Sequence, residues 1–151
     1  MPLTDLDNRR DWFLWLIREQ MRDLPGVTVA HTFDPRGYTD TTAFVWLGAE
    51  KLLPGAGHVK QGNSECEFAV WLYFTTQADT QEEGLLDQTA NRWAHEIEKR
   101  LRRLTTIAKT IENVSYSITD ARATDVVPGF LDESRKGLVE VRGVIEYRIL
   151  P

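Results

Sequence analysis

The chain carries a single cysteine, Cys66, in 151 residues, so it can close no internal disulfide, and its stability must come from packing in what we expect to be a reducing cytoplasm. Long apolar runs are also missing. Nothing approaches the roughly 20 consecutive apolar residues that cross a bilayer. The first residues, MPLTDLDNRR, place acids where a secretory leader needs an apolar segment. We therefore expect a soluble chain with no membrane partner. Positive charge is in deficit: 18 Lys and Arg stand against 23 Asp and Glu, a net charge of -5. A surface that holds nucleic acid by displacing counterions needs the opposite balance. The basic run Lys99, Arg100, Arg102 and Arg103 shares its segment with glutamates at helical spacing, which reads as solvated ion pairs.

Reactive constellations are equally sparse. Cys66 sits among apolar neighbours, and no serine occupies a glycine-flanked elbow between strand and helix. His31, His58 and His95 have no second histidine or cysteine at ligand spacing; His31 with Asp34 is the nearest pair and reads as a turn contact. Glu82-Glu83 and Asp132-Glu133 lie at a helix start and in a loop, where acids gather for dipole and solubility reasons. Gly55-Ala56-Gly57 lacks the Lys-Ser/Thr of a phosphate cradle. No catalytic residue, metal or cofactor is indicated. A small α+β enzyme or ligand-binding domain stays open as the alternative class, because acid and base groups can converge from distant positions.

What is present organises into one domain over residues 1–151, with 42% hydrophobic side chains to fill its core. Residues 4–24 read as a helix with Phe13, Leu16, Ile17, Met21 and Leu24 on one stripe, stopped by Pro25-Gly26. An alternating run at 27–33 and the turn Asp34-Pro35-Arg36-Gly37 lead to a strand at 41–47, in which Ala43, Val45 and Leu47 oppose Phe44 and Trp46. Residues 48–63 form a glycine-rich hairpin loop before a strand at 65–75. There Cys66, Phe68, Val70, Leu72 and Phe74 oppose Trp71 and Tyr73, as in a central strand.

Thr80-Gln81-Glu82-Glu83 is a capping box, and Leu86, Ala90, Trp93, Ile97, Leu101 and Leu104 behind it hold helical spacing for about six turns. Val114, Tyr116 and Ile118 alternate with polar residues as a half-buried strand, 120–136 reads as a loop around Pro128-Gly129, and 137–150 reads as a terminal strand of about 12 residues that outreaches its sheet. The order predicts an α+β domain, a mostly antiparallel sheet packed with two main helices.

Five tryptophans are many for this length. Trp12 and Trp15 leave the main stripe of the first helix, and Trp71 and Tyr73 leave the apolar side of their strand, so each pair either meets a second layer or anchors a subunit interface. On the terminal strand Val139, Val141, Ile145, Tyr147 and Ile149 claim one side. Glu140, Arg142, Glu146 and Arg148 line the other, where alternating charge can set the register between copies.

The strand Phe44-Val45-Trp46-Leu47 running into Gly48-Ala49-Glu50, the aromatic strand at 67–74 and the closing Gly143-Val144-Ile145-Glu146-Tyr147-Arg148 together resemble the tail terminator proteins of long-tailed bacteriophages, the lambda minor tail protein U type. The resemblance spans nearly the whole chain. It implies an α+β subunit without catalytic residues that forms a hexameric ring on the head-proximal end of the virion tail, assembled in the host cytoplasm. Such a ring stops growth of the major tail tube protein and offers a docking surface to the head-tail connector or neck protein, while DNA passes through its bore without specific binding. A tail completion or head-tail joining role is the alternative within that class. In this reading Trp12, Trp15, Trp71, Tyr73, Glu140, Arg142, Glu146 and Arg148 face neighbouring copies, and Lys51, Leu52, Leu53, His58 and Lys60 on the glycine-rich loop contact tube or neck.

Overall fold

The computed structural model describes residues 8–32, 40–52, 63–75, 85–130 and 136–150. The chain is an α+β fold: helices α1 (Arg9–Arg22) and α2 (Leu85–Leu101) lie on one face of a six-stranded sheet. Its strands are β1 (Thr28–Ala30), β2 (Thr42–Lys51), β3 (Ser64–Thr75), β4 (Ala108–Ile111), β5 (Val114–Phe130) and β6 (Lys136–Leu150), in the order β1-β2-β3-β6-β5-β4. Every pairing is antiparallel except β1 with β2.

Helix α1 begins at Asn8, whose side chain accepts from the Asp11 backbone N–H at 2.8 Å and so satisfies one donor of the first turn. The earlier start, with residues 4–7, lies outside the described residues. Trp12, Phe13, Leu16, Ile17 and Met21 are buried on α1, and Ala90, Ala94, Ile97 and Leu101 on α2, where Trp93 packs half-buried against the same core. The C-terminal ends of the two helices are joined by charge. Asp23, just past α1, lies 2.8 Å from Arg103 and 3.4 Å from Arg100, and Lys99 pairs with Glu96 at 3.3 Å. Of the basic run, Lys99 makes the helical-spacing pair expected of it, whereas Arg100 and Arg103 pair instead with Asp23 past the end of α1.

The helices cover the side of the sheet carrying Ala43 and Val45 of β2, Cys66, Phe68, Val70, Leu72 and Phe74 of β3, Val139, Val141, Ile145 and Tyr147 of β6, and Tyr116, Ile118 and Ala121 of β5. Two glycines on that side of β6 make room for rings. A Cβ at Gly143 would lie 2.3 Å from the Arg122 carbonyl oxygen and 2.6 Å from the Phe68 ring, and one at Gly137 would lie 2.4 Å from Phe74. The aromatic residues of β3 therefore lie over the glycines of β6 and fill the space that side chains would take.

Three expectations are corrected. Residues 120–130 are not a loop, because β5 continues through them to Phe130, paired with β6, and Lys136 already belongs to β6; 131–135 lie outside the described residues. Irregular register between Ile118 and Asp120 and between Ala123 and Asp125 shifts the alternation twice, so the apolar pattern loses its period of two. Pro128 is tolerated because β4 pairs with β5 only over 114–117, which leaves the remainder of β5 as a sheet edge among the described residues.

The terminal strand is neither an edge nor an overhang. It lies between β3 and β5, and β3 matches it from Lys136 to Tyr147. The loop expected at 48–63 is shorter at its start, because β2 runs on to Lys51 past a bulge. A strand missed in the sequence, β4, is joined to β5 by the two-residue turn Glu112-Asn113, both residues having positive φ (49° and 66°), the twist that suits a tight hairpin.

Candidate interaction face

The side of the sheet turned away from the helices carries Phe44 and Trp46 of β2, Glu65, Glu67, Ala69, Trp71 and Tyr73 of β3, Glu140, Arg142, Val144 and Glu146 of β6, and Asp120, Arg122, Asp125 and Val127 of β5. Strand geometry puts them there, since each except Tyr73 pairs across with another member of the set, and Tyr73 follows Trp71 by two positions on β3. Trp71 is the centre of an aromatic cluster, its ring centroid 6.4 Å from Phe44 and 6.3 Å from Trp46 in an edge-on arrangement. Such tilted contacts satisfy the ring quadrupoles. Trp46 is 39% exposed.

Charged residues surround the cluster. Arg142 donates to both carboxylate oxygens of Glu140, at 2.8 and 3.3 Å, two positions along the same strand. That contact, with the Trp71 indole assisting, holds the Glu140 carboxyl below the usual carboxylate range. Farther along, Arg122 bridges Glu146 at 2.7 Å and Asp120 at 3.0 Å, neutralising two acids that face each other across β5 and β6. Between the aromatic cluster and these pairs lies an open groove of about 510 Å³ lined by Trp46, Gly48, Glu67, Ala69, Arg142 and Val144.

A second polar cluster lies at one end of the core. The bulge at Gly48-Ala49 sets two residues of β2 against Glu67 alone, so Glu50 turns to the helix side and faces Cys66. Glu50 accepts hydrogen bonds from Arg9 Nε at 2.6 Å and from the Tyr147 hydroxyl at 2.5 Å, while Arg10 donates to the Gly48 carbonyl at 2.9 Å. The Arg9 guanidinium also lies over the Tyr116 and Tyr147 rings, 5.8 and 5.6 Å from their centroids.

Burial alone would raise the Glu50 carboxyl, but the bonds from Arg9 and Tyr147 outweigh it and hold it below its ordinary value. Burial together with the bond to Glu50 raises the Tyr147 phenol. A cavity of about 470 Å³ beside this cluster is lined by Asn8, Arg9, Arg10, Glu112 and Tyr116, and both of its arginines are already engaged by Glu50 and Gly48. The arrangement fastens α1 to the sheet.

The expected site residues divide accordingly. Trp12 is 2% exposed, its ring 5.5 Å from that of Phe13, and Tyr73 is 1% exposed. The chain's own packing covers both, so neither presents a surface to a neighbour. Trp15 is 40% exposed on the outward side of α1. Trp71, Glu140, Arg142 and Glu146 come together on the outer face of the sheet, and Arg148 is exposed near the end of β6. Their charges are largely paired within the chain. Lys51 and Leu52 are exposed at the end of β2; Leu53, His58 and Lys60 lie outside the described residues.

Four contributors were not singled out from the sequence: Phe44 and Trp46, whose strand reads apolar on both sides, and Arg9 and Glu50, which only the bulge brings together. Cys66 is buried, and burial pushes its thiol up to about 11, which disfavours the thiolate. Among the described residues no group of three or more His, Cys, Asp or Glu is placed to hold a metal. No described helix is long and apolar enough to cross a membrane.

No protein-family model and no curated protein matches the chain. Among solved structures, a chain from the virion of a native gene transfer agent particle is 11% identical with a TM-score of 0.47, covering 87% of this chain and 90% of that one. Another is 10% identical with a TM-score of 0.40, over 93% of this chain and 94% of that one.

Proposed function

We propose that this chain is a structural subunit of a phage-type tail that assembles into a hexameric ring, ends growth of the tail tube and bridges it to the neck, turning over no substrate. The observation that carries this reading is the outer face of the sheet, where the Phe44-Trp46-Trp71 cluster is rimmed by Glu140-Arg142 and Arg122-Glu146. An aromatic centre within a polar rim is the composition of a protein interface. The resemblance of the 44–50, 67–74 and 143–148 segments to tail terminators supplies the partner: copies of the chain and the end of a tube.

Association through the face is favoured over pairing of strand edges. The edge formed by β5 carries two register irregularities and Pro128, and β2 bulges at Gly48-Ala49. Bulges and prolines on edges discourage a further strand from adding. The bore of such a ring needs no cations, and the net charge of -5 agrees with DNA passing without being held.

Mass photometry of the purified chain tests the reading directly. A species of six copies that also arrests polymerisation of tail tube protein in a mixed assembly is the expected result. A chain that remains single at high concentration and leaves tube growth unaltered overturns it.

A further inference from the structure

Two unlike surfaces lie on opposite sides of the two-layer fold. On the helix side, Trp15 is 40% exposed and shares the outward stripe of α1 with Asp11, Arg18 and Arg22, at helical spacings of three and four. Arg22 pairs with Glu19, whereas the buried Arg18 Nε makes no hydrogen bond among the described residues. On the sheet side, Trp46 overhangs the groove whose wall carries Glu67, exposed and without an ion pair among the described residues. Of the charged residues described on that outer face, the acids Glu65, Glu67, Asp120, Asp125, Glu140 and Glu146 exceed the cations Lys51, Arg122, Arg142 and Arg148. One surface offers an indole beside a cation, and the other an indole beside an uncompensated carboxylate.

We infer that the ring closes face to back, the Trp15-Arg18 stripe of α1 in one copy seating in the Trp46-Glu67 groove of the next. This rests on the ring reading above and names its interface. A contact between two different patches repeats around an axis and closes when the rotation per copy divides a full turn. It also lays a helix over the Trp46-Glu67 part of the outer face, where both residues are exposed, giving helix, sheet and helix in succession there. The occupant is a second copy because the complementary charge and the second exposed indole both lie on this same chain.

Charge reversal with restoration tests the inference by mass photometry and sedimentation, with far-UV circular dichroism and melting as controls for the fold. Trp15→Glu and Glu67→Arg, both at exposed positions, should each raise the concentration for half-assembly by about tenfold or more, with melting unchanged. Arg18→Glu combined with Glu67→Arg should bring assembly back toward wild type. Rings that persist in both single variants overturn the interface and leave the ring reading standing. Disruption without restoration in the double variant overturns the Arg18-Glu67 pairing. A wild-type chain that never assembles overturns the ring reading and the interface together.

Discussion

Tyr147 donates its phenolic hydrogen to Glu50 Oε1 across 2.5 Å, joining the last strand of the chain to the end of the second. The two residues are 97 positions apart. Arg9 completes the contact from α1 at 2.6 Å, so one carboxylate ties a helix and two strands. Tyr147→Phe should cost about 1–3 kcal/mol, because it leaves a buried acceptor with one partner fewer. Urea unfolding of Tyr147→Phe, Glu50→Gln and the double variant should show non-additivity of about 0.5–3 kcal/mol, and strict additivity would remove the coupling.

The same carboxylate sets an acid limit on stability. Its folded pKa lies below the unfolded value, so the folded state holds its proton less tightly than the unfolded chain does. The stabilisation is therefore complete above the ordinary glutamate range and drains away as pH falls through the lower, folded value. Urea midpoints measured downward from about pH 6 should fall less steeply in Glu50→Gln than in wild type. Parallel curves for the two proteins would assign the acid sensitivity elsewhere.

Gly143 is a packing position. An added methyl would meet the Arg122 carbonyl at 2.3 Å and the Phe68 ring at 2.6 Å, and the backbone oxygen cannot move without disturbing the pairing of β5 with β6. Gly143→Ala should destabilise by roughly 1–3 kcal/mol, the range of overpacked cores. A melting temperature equal to wild type would show that the two strands can separate locally at little cost.

Much of this architecture was legible in the sequence, and the rest was hidden for physical reasons. The apolar stripe of α1, the alternation of β3 and Val139, Val141, Ile145 and Tyr147 of the inward set stand at the positions their periods assign, whereas Ile149, expected on the same side, is 42% exposed near the end of β6. Continuation of β5 was masked because its two register irregularities change which residues face inward, and because Pro128-Gly129 has the composition of a turn while sitting on a strand edge. The polar clamp was illegible for a related reason. Glu50 reaches the helix side only through the bulge at Gly48-Ala49, and no period of two reveals a bulge.

Exposure of the aromatic residues was likewise undetermined by pattern. Trp12 and Trp15 are three positions apart on α1, yet one is 2% and the other 40% exposed. Trp46 was passed over since a strand apolar on both sides reads as covered on both. Only the placement of both helices on one side shows which apolar side is left over.

The β4-β5 turn gives a prediction free of any assembly. Glu112 and Asn113 both adopt positive φ, and a glutamate there carries a steric cost that asparagine and glycine largely avoid. Glu112→Asn with Asn113→Gly should stabilise the chain by about 1 kcal/mol, raising its melting temperature with no change in assembly. A loss of stability would mean that the turn is held by contacts of the Glu112 side chain rather than by its backbone.

Arg142 separates folding from assembly most cleanly. It is exposed and its bond to Glu140 runs along one strand, so reversing its charge breaks no link between elements of the fold. Its guanidinium nevertheless borders the groove beside Trp46 and holds the neighbouring Glu140 carboxylate in an ion pair. Arg142→Glu would set two like charges side by side at the rim and make an already acidic face more so. Combined with Arg148→Glu, it should leave the circular dichroism spectrum and melting close to wild type while lowering the fraction of chain in rings, most strongly at low salt, where repulsion is least screened. Ring formation at wild-type levels across the salt range would remove this rim from the interface and confine the contact between copies to the aromatic centre.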